Sequence, residues 1–131
     1  MTRKELERYI AEMHGIKPDF PWSDTPEHAV FRHPGNRKWF ALVMELSCEK
    51  LGLQGAGRID ILNVKCDPLL IGSLRTDPGF FPAYHMSKTN WITIALDGTV
   101  PDDTICWLLE LSFNMTAPRY RTARPSAPAQ Q

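Results

Sequence analysis

The chain has 131 residues, of which 15 are basic and 15 are acidic, so its formal net charge is zero. A chain of this length buries roughly two-thirds of its unfolded surface and can fold as one domain without a metal or a disulfide. No apolar stretch approaches the length of a membrane span and no apolar signal core follows Met1, so we expect neither a membrane protein nor a secreted one.

Charge is distributed unevenly along the chain. The residues from Thr116 onward contain three arginines and no acid: Arg119, Arg121 and Arg124. The preceding residues therefore hold 12 basic and 15 acidic side chains, a net charge of −3. A body with that charge disfavours non-specific binding to polyanions such as nucleic acid.

The three cysteines are widely spaced, lie among apolar residues and form no Cys-x-x-Cys pair: Cys48, Cys66 and Cys106. An odd number in this arrangement is typical of reduced thiols rather than of a disulfide framework. We therefore expect a cytoplasmic protein.

The first predicted element is an amphipathic helix over residues 2 to 14. Thr2 and Glu5 form a capping box, and apolar residues recur at helical spacing up to Gly15, which has the character of a helix stop. Residues 15 to 27 contain three prolines and cannot continue the helix, so they predict an irregular crossing.

Three strands are predicted next, over residues 28 to 33, 38 to 46 and 58 to 65. The Pro34-Gly35-Asn36 turn separates the first two, and a glycine-rich connection at 52 to 57 precedes the third. Alternation in the second strand predicts one fully apolar face, formed by Phe40, Leu42, Met44 and Leu46, and a mixed face opposite to it.

The remaining predicted elements are a short helix, two strands and a final helix. Asp67-Pro68 is an N-cap followed by a proline at the first helical position, which opens a helix that runs to about Leu74. Residues 80 to 86 and 89 to 96 predict strands. The acidic start at Pro101-Asp102-Asp103 opens a helix to about Met115, which is apolar on most sides and is expected to lie deep.

The predicted element order is α-β-β-β-α-β-β-α. Strands grouped in this way, rather than alternating with helices, predict an α+β fold in which helices pack on an antiparallel sheet. We expect a single domain over residues 1 to 115. The last sixteen residues, 116 to 131, hold three prolines and no apolar periodicity, which predicts a disordered tail.

A specific motif lies between His85 and Gly98. It contains Ser87-Lys88, Asn90-Trp91, Thr93-Ile94 and Leu96-Asp97-Gly98, followed by a helix that opens with acids. This motif, with the element order, resembles the YjbR/MmcQ family of small bacterial proteins. Asn90 stands where histidine is common in that family, and the glycine-rich connection is longer. The resemblance implies a fold similar to frataxin-like or secretion-chaperone-like sandwiches and a double-wing arrangement that binds DNA.

The motif supplies the first group of candidate nucleic-acid contacts: His85, Lys88 and Trp91. A tryptophan beside a lysine, near His85 and Arg75, has the side chains needed to stack on a base and to hold a phosphate. The alternative is that Trp91 covers the second sheet face beneath the 15 to 27 crossing while Lys88 is solvated.

The second candidate group flanks the first hairpin turn and consists of Arg32, Arg37 and Lys38, with His33 between them. A positive hairpin tip can act as a wing that contacts a phosphate backbone, although charged tips also serve solubility alone. These residues and the motif together predict weak DNA binding through phosphate contacts.

Other chemistry finds little support in the sequence. The glycine-rich connection leads into a strand rather than a helix, unlike a phosphate-binding loop. His28 and His33 are five residues apart on a predicted strand and so face opposite sides, and we expect no metal and no other cofactor. No nucleophile lies beside a base in a recognisable motif, so we expect no enzyme.

A protein-interaction or chaperone-like module, which the −3 body suits, remains the alternative to DNA binding.

Overall fold

A computed structural model describes residues 1–118 of the chain, and in this part an antiparallel sheet of five strands is packed against three α-helices. The elements in chain order are α1 (Arg3–His14), β1 (Ala29–Arg32), β2 (Trp39–Ser47), a 3₁₀ turn (Cys48–Leu51), β3 (Arg58–Lys65), α2 (Pro68–Leu74), β4 (Phe80–Pro82), β5 (Trp91–Ala95) and α3 (Asp102–Thr116). This order and the antiparallel pairing confirm the predicted α+β class. None of the helices described is long and apolar enough to cross a membrane.

The strand order across the sheet is β1-β2-β3-β5-β4. In the central register Val64 of β3 lies opposite Ala41 of β2 on one side and Ile92 of β5 on the other. Phe31 and Pro82 continue this row at the two edges. The register therefore shows which strand ends lie together, and this decides where the candidate side chains meet.

Local signals place the helix ends as the sequence predicts. The Thr2 hydroxyl accepts a hydrogen bond from the Glu5 amide at 3.1 Å, and the Glu5 carboxylate accepts one from the Thr2 amide at 2.8 Å. Gly15 ends α1 at φ +66°, and the Asp67 carboxylate caps α2 at 2.9 Å from the Leu69 amide. A side-chain cap of this kind is worth about 1 kcal/mol.

The two faces of the sheet are covered differently. On the face that we call the helix face, buried apolar side chains of all three helices meet those of the strands, among them Leu6, Ile71 and Leu109. On the opposite face, which we call the loop face, a second apolar cluster is covered by three irregular segments: the 15–28 crossing, residues 48–57 and residues 83–90. The core of the helix face therefore lies between the sheet and a layer of helices, whereas the core of the loop face lies between the sheet and irregular segments.

A bulge in β2 corrects the predicted alternation. Phe31 lies opposite Ala41 and Arg32 opposite Trp39, so Phe40 is the extra residue and packs on the helix face together with Ala41. The expectation that Phe40 shares a face with Leu42, Met44 and Leu46 was therefore wrong, because an inserted residue changes the phase of the strand.

The bulge also interrupts the hydrogen bonds between β2 and β3, and a helix side chain repairs them. The buried hydroxyl of Ser112 on α3 donates to the Phe40 carbonyl at 2.6 Å and accepts from the Lys65 amide at 2.9 Å. One side chain thus satisfies two backbone groups that the ladder leaves unpaired.

Four further predictions need correction. The strand predicted at 80 to 86 ends at Pro82, and the strand predicted at 89 to 96 begins only at Trp91, because residues 83–90 form turns. The last helix extends to Thr116, one residue into the predicted tail. Trp107 on that helix is 51% exposed, so α3 is not buried on most sides. The tail prediction otherwise concerns residues 119–131, which lie outside the described residues.

Candidate functional site

The register gathers several candidate residues at one end of the sheet. At this end, which we call the tip end, residues 33–38 join β1 to β2, β3 ends at Lys65, and β5 begins at Trp91. Strands lie about 4.8 Å apart, so the hairpin turn and the start of β5, two strands from β2, are separated by about 10 Å. Arg32, Arg37, Lys38, Lys88 and Trp91 all belong to this end.

The hairpin side of the tip end is less positive than its sequence suggests. The Arg32 Nε atom donates to the Asp19 carboxylate at 3.0 Å, and its guanidinium lies over the Trp39 ring, 5.8 Å from the centroid. Arg37 reaches the same carboxylate only at 4.0 Å. Arg37 and Lys38 are exposed. The Arg32 side chain is therefore engaged by intramolecular contacts, whereas Arg37 and Lys38 remain available to a ligand.

His33 does not belong to the positive tip. Its ring is buried beneath α3, where Nε2 lies 2.8 Å from the Phe113 carbonyl and 3.0 Å from the Thr116 hydroxyl. Burial lowers the pKa of His33, and the nearby His14 adds to that effect against the Phe113 hydrogen bond. The ring is therefore a structural group that joins the first hairpin to the last helix.

The β5 side of the tip end contains Lys88, Trp91 and, opposite Trp91, Lys65. Lys88 is exposed in the turn before the strand, and Trp91 is half-buried. Trp91 shares the loop face with Thr93 and Ala95, whereas Arg75 follows α2, which packs on the helix face. Arg75 therefore does not join this group, because the sheet lies between them.

The packing on the loop face also differs from the alternative interpretation, in which Trp91 lies beneath the crossing. The residue of the 15–28 crossing that packs on the sheet is Trp22, and its ring meets Trp39 edge-on at 5.8 Å between centroids. Trp39 of β2, rather than Trp91, is thus the tryptophan beneath the crossing. The sequence does not distinguish them, since both are in phase with the same sheet face.

His85 lies away from the tip end, over the middle of the loop face. It has a left-handed backbone with φ +59°, and its ring stacks on Tyr84 at 4.0 Å. Both backbone groups of Tyr84 are held from below: its amide donates to the Thr93 hydroxyl at 2.9 Å and its carbonyl accepts from the Asn63 amide group at 3.2 Å. Thr93 in turn donates to the Asn63 carbonyl oxygen.

Three adjoining cavities on the loop face share His85. Their volumes are about 260, 370 and 320 Å³, and they open between the crossing, the 48–57 segment and the 83–90 loop. His28 lines two of them, and burial lowers its pKa against the attraction of Glu27. Within residues 1–118, no group of three or more His, Cys, Asp or Glu side chains is placed to hold a metal ion.

Sequence reasoning missed Lys50, Lys65 and the Asn63–Thr93 pair. Alternation in β3 places Lys65 and Asn63 on the same face, which was a usable signal for both. Lys50 lines two of the cavities but comes from an irregular segment, and no spacing rule brings it beside His85. Only the folded loops show that Lys50 and His85 line the same cavities.

Comparison with known proteins gives consistent matches. The family model described as YjbR matches residues 11–115. The chain is 44% identical over 116 residues to the uncharacterised protein YyaQ of Bacillus subtilis (strain 168), covering 88% of this chain and 98% of that protein. It is similar to a crystal structure of a Pseudomonas syringae protein, with a TM-score of 0.88, 44% identity and coverage of 89% and 100% of the two chains. A Deinococcus radiodurans protein with a DUF419 domain matches at a TM-score of 0.66, 27% identity and coverage of 87% and 77%.

Proposed function

The chain belongs to the YjbR family, and we propose that it is a binding protein rather than an enzyme, which holds nucleic acid weakly through phosphate contacts at the tip end. The charge of that end carries the proposal. Its strand ends and turns, at residues 16–20, 32–39, 65–67 and 87–91, contain the bases Lys17, Arg32, Arg37, Lys38, Lys65 and Lys88 but only the acids Asp19 and Asp67. The body as a whole is negative, so the tip end is more positive than the average of the body.

The contacts available for phosphates are few. Arg32 is engaged by Asp19 and Trp39, which leaves four exposed cations able to reach a ligand: Lys17, Arg37, Lys38 and Lys88. Two or three phosphate contacts on a protein body of net charge −3 give weak binding, with a Kd of about 0.1 mM to 1 μM at low salt. Trp91, half-buried beside Lys65, adds stacking where a base is unpaired.

The direct test is titration of a labelled duplex and of a single strand of the same sequence at low salt. The double variant Arg37→Ala/Lys38→Ala should weaken binding to every sequence alike and reduce the salt slope by about one to two. The matched control, Lys4→Ala/Arg75→Ala, removes the same charge from exposed positions on elements of the helix face and should have a smaller effect. Absence of binding near 0.1 mM protein, the weak non-specific limit, would refute the proposal.

Trp91 distinguishes the two nucleic-acid forms. Trp91→Ala should weaken single-strand binding more than duplex binding, because stacking needs an exposed base. A thermal melt must first show that the variant is folded. Equal losses for both forms would indicate that Trp91 acts through the structure of the tip end and not through stacking.

A protein-interaction or chaperone-like module is a second candidate, and exposed apolar side chains on α3 favour it. Trp107 is 51% exposed and Met115 48%, and with the partly buried Leu111 they recur every four residues along one helix face. Solvent-exposed apolar stripes of this kind are typical of contact surfaces. If this candidate is correct, the wild-type chain should slow the aggregation of a reduced, unfolding protein, and Trp107→Gln/Met115→Gln should lose that effect; equal activity of both would contradict it.

A further inference from the structure

The loop face contains a second region with the properties of a ligand site. The three cavities that share His85 adjoin one another, and the largest, about 370 Å³, is within the usual size range of small-molecule sites. Its walls come from Lys50 and Leu51 on one side and from the segment between Phe81 and Lys88 on the other. This cavity is separate from the exposed hairpin cations Arg37 and Lys38.

The loop that forms this cavity is hydrogen-bonded to the sheet in a strained conformation. A histidine at φ +59° is uncommon, and such strain persists only where the surroundings determine the backbone. The surroundings that determine the backbone here are the fully buried Asn63 and Thr93. Their side chains hydrogen-bond both backbone groups of Tyr84, the residue just before His85. Two buried polar side chains are thus used to hold one exposed imidazole in position.

The electrostatics of the cavity are positive. Its lining includes the cations Lys50 and Lys88 and the His85 ring, and it includes no acid. Neither lysine has a carboxylate within 4.0 Å among residues 1–118.

The acids of the adjoining cavities do not neutralise this one. Glu45 is bound by Arg58 at 3.1 Å, and Glu27 lines only the cavity of about 260 Å³. Asp24 is exposed and lines the third cavity only. Cations that lack partners beside an apolar wall are complementary to a ligand with a negative head and an apolar body.

We propose that this cavity binds a small planar organic anion, whose carboxylate or phosphate group lies between Lys50 and Lys88 beside His85 and whose ring packs on Phe81 and Tyr84. The aromatic side chains and Pro82 supply the apolar wall, and the two lysines supply charge-assisted hydrogen bonds. The inference goes beyond nucleic-acid binding. Lys88 is common to both sites, but Lys50 lines only the cavity and Arg37 and Lys38 belong only to the tip end, so variants of these residues distinguish the two.

The experiment is an NMR titration of the full chain with four probes: phenyl phosphate, benzoate, inorganic phosphate and the neutral benzyl alcohol. We expect saturable shifts of the amides at 50–51, 81 and 83–88 with phenyl phosphate, with benzoate or with both, and the stronger of the two identifies the head group. Inorganic phosphate and benzyl alcohol should each bind at least fivefold more weakly, because each lacks half of the recognised chemistry. Shifts that do not saturate, or equal affinity for benzyl alcohol, would overturn the proposal.

The matched variants are Lys50→Met and Lys4→Met. Both remove one charge from an exposed lysine and keep a side chain of similar length, but only Lys50 lines the cavity. Lys50→Met should weaken binding of the anionic probe at least fivefold with an unchanged Tm, and Lys4→Met should have no effect. Arg37→Ala/Lys38→Ala should leave this binding unchanged. A loss with that variant would place the anion at the tip end, and no loss with Lys50→Met would refute the cavity site.

Discussion

The helix face and the loop face of the same sheet are built in opposite ways. On the helix face, α1, α2 and α3 place side chains such as Leu6, Ile71 and Leu109 against the strands at regular helical spacing. On the loop face, irregular segments enclose a smaller apolar cluster, leave cavities, and contain a histidine in a left-handed conformation. This difference indicates that the helix face provides most of the stability, while the loop face is where the chain places exposed, positioned polar groups.

The comparison predicts its largest effect for core truncation on the helix face. Leu109→Ala should lower the free energy of unfolding by about 3 kcal/mol, because the side chain is fully buried and its removal leaves a cavity. Met86→Ala on the loop face should cost less than about 1 kcal/mol, since that side chain is only partly buried. Urea denaturation of both variants measures the difference, and equal losses would contradict the contrast between the faces.

A somewhat smaller loss is expected where α3 repairs the sheet. Ser112→Ala removes the hydroxyl that bridges the Phe40 carbonyl and the Lys65 amide, and so leaves one buried and one partly buried backbone group without a partner. The expected cost is about 1 to 3 kcal/mol by chemical denaturation. Ser73→Ala at an exposed position of α2 is the control and should change stability by less than about 0.5 kcal/mol. A neutral Ser112→Ala would mean that water replaces the bridge.

Substitution in the strained loop is expected to raise the stability of the chain rather than to lower it. His85→Gly should stabilise the chain by up to about 1 kcal/mol, because glycine adopts a positive φ without the steric cost that a side chain incurs. The same variant should weaken binding of the anionic probe in the loop-face cavity. If His85→Gly instead lowers the Tm, then the stacking of His85 on Tyr84 contributes more than the backbone strain costs.

The smallest expected effect is the pH dependence of stability that His33 and His28 contribute. The pKa of His33 is lowered in the folded state, chiefly by burial. Below about pH 6.5 His33 is therefore protonated in the unfolded chain to a greater extent than in the folded chain. This contribution to stability is complete above pH 6.5 and is lost as the pH falls toward the folded pKa. His28, whose pKa burial also lowers, acts in the same direction.

The measurement is the Tm between pH 7.5 and 5. His33→Gln should reduce the loss of Tm on acidification, and His28→Gln should reduce it in the same direction, because each removes an imidazole whose pKa is lowered by burial. An unchanged slope in His33→Gln would show that the His33 ring is not protonated differently in the two states.

Much of the fold could be predicted from local signals. The bounds of β3 and α2 agree with the prediction at both ends, and the capping box at Thr2 and the stop at Gly15 define α1. The 83–90 loop could not be predicted, because the backbone of Tyr84 bonds to side chains of distant strands and not to a neighbouring strand. An apolar run beside a strand is indistinguishable from a strand until those partners are in place.

The candidate site divides in the same way. Arg37, Lys38 and Lys88 were identified from charge and turn position and are exposed at one end of the sheet. Three features were not predictable, because each depends on residues far apart in the chain: the engagement of Arg32 by Asp19, the burial of His33, and the placement of Lys50 and His85 in one cavity.

The sequence by itself determined the family, the α+β class, the helix caps and the alternation of β5, since each is recorded in residues close together in the chain. Only the tertiary structure decided the bulge at Phe40, the loss of His33 from the positive tip and the cavity around His85. The physical reason is that burial, pairing and strain depend on which distant segments pack together, and local pattern contains no information about that choice.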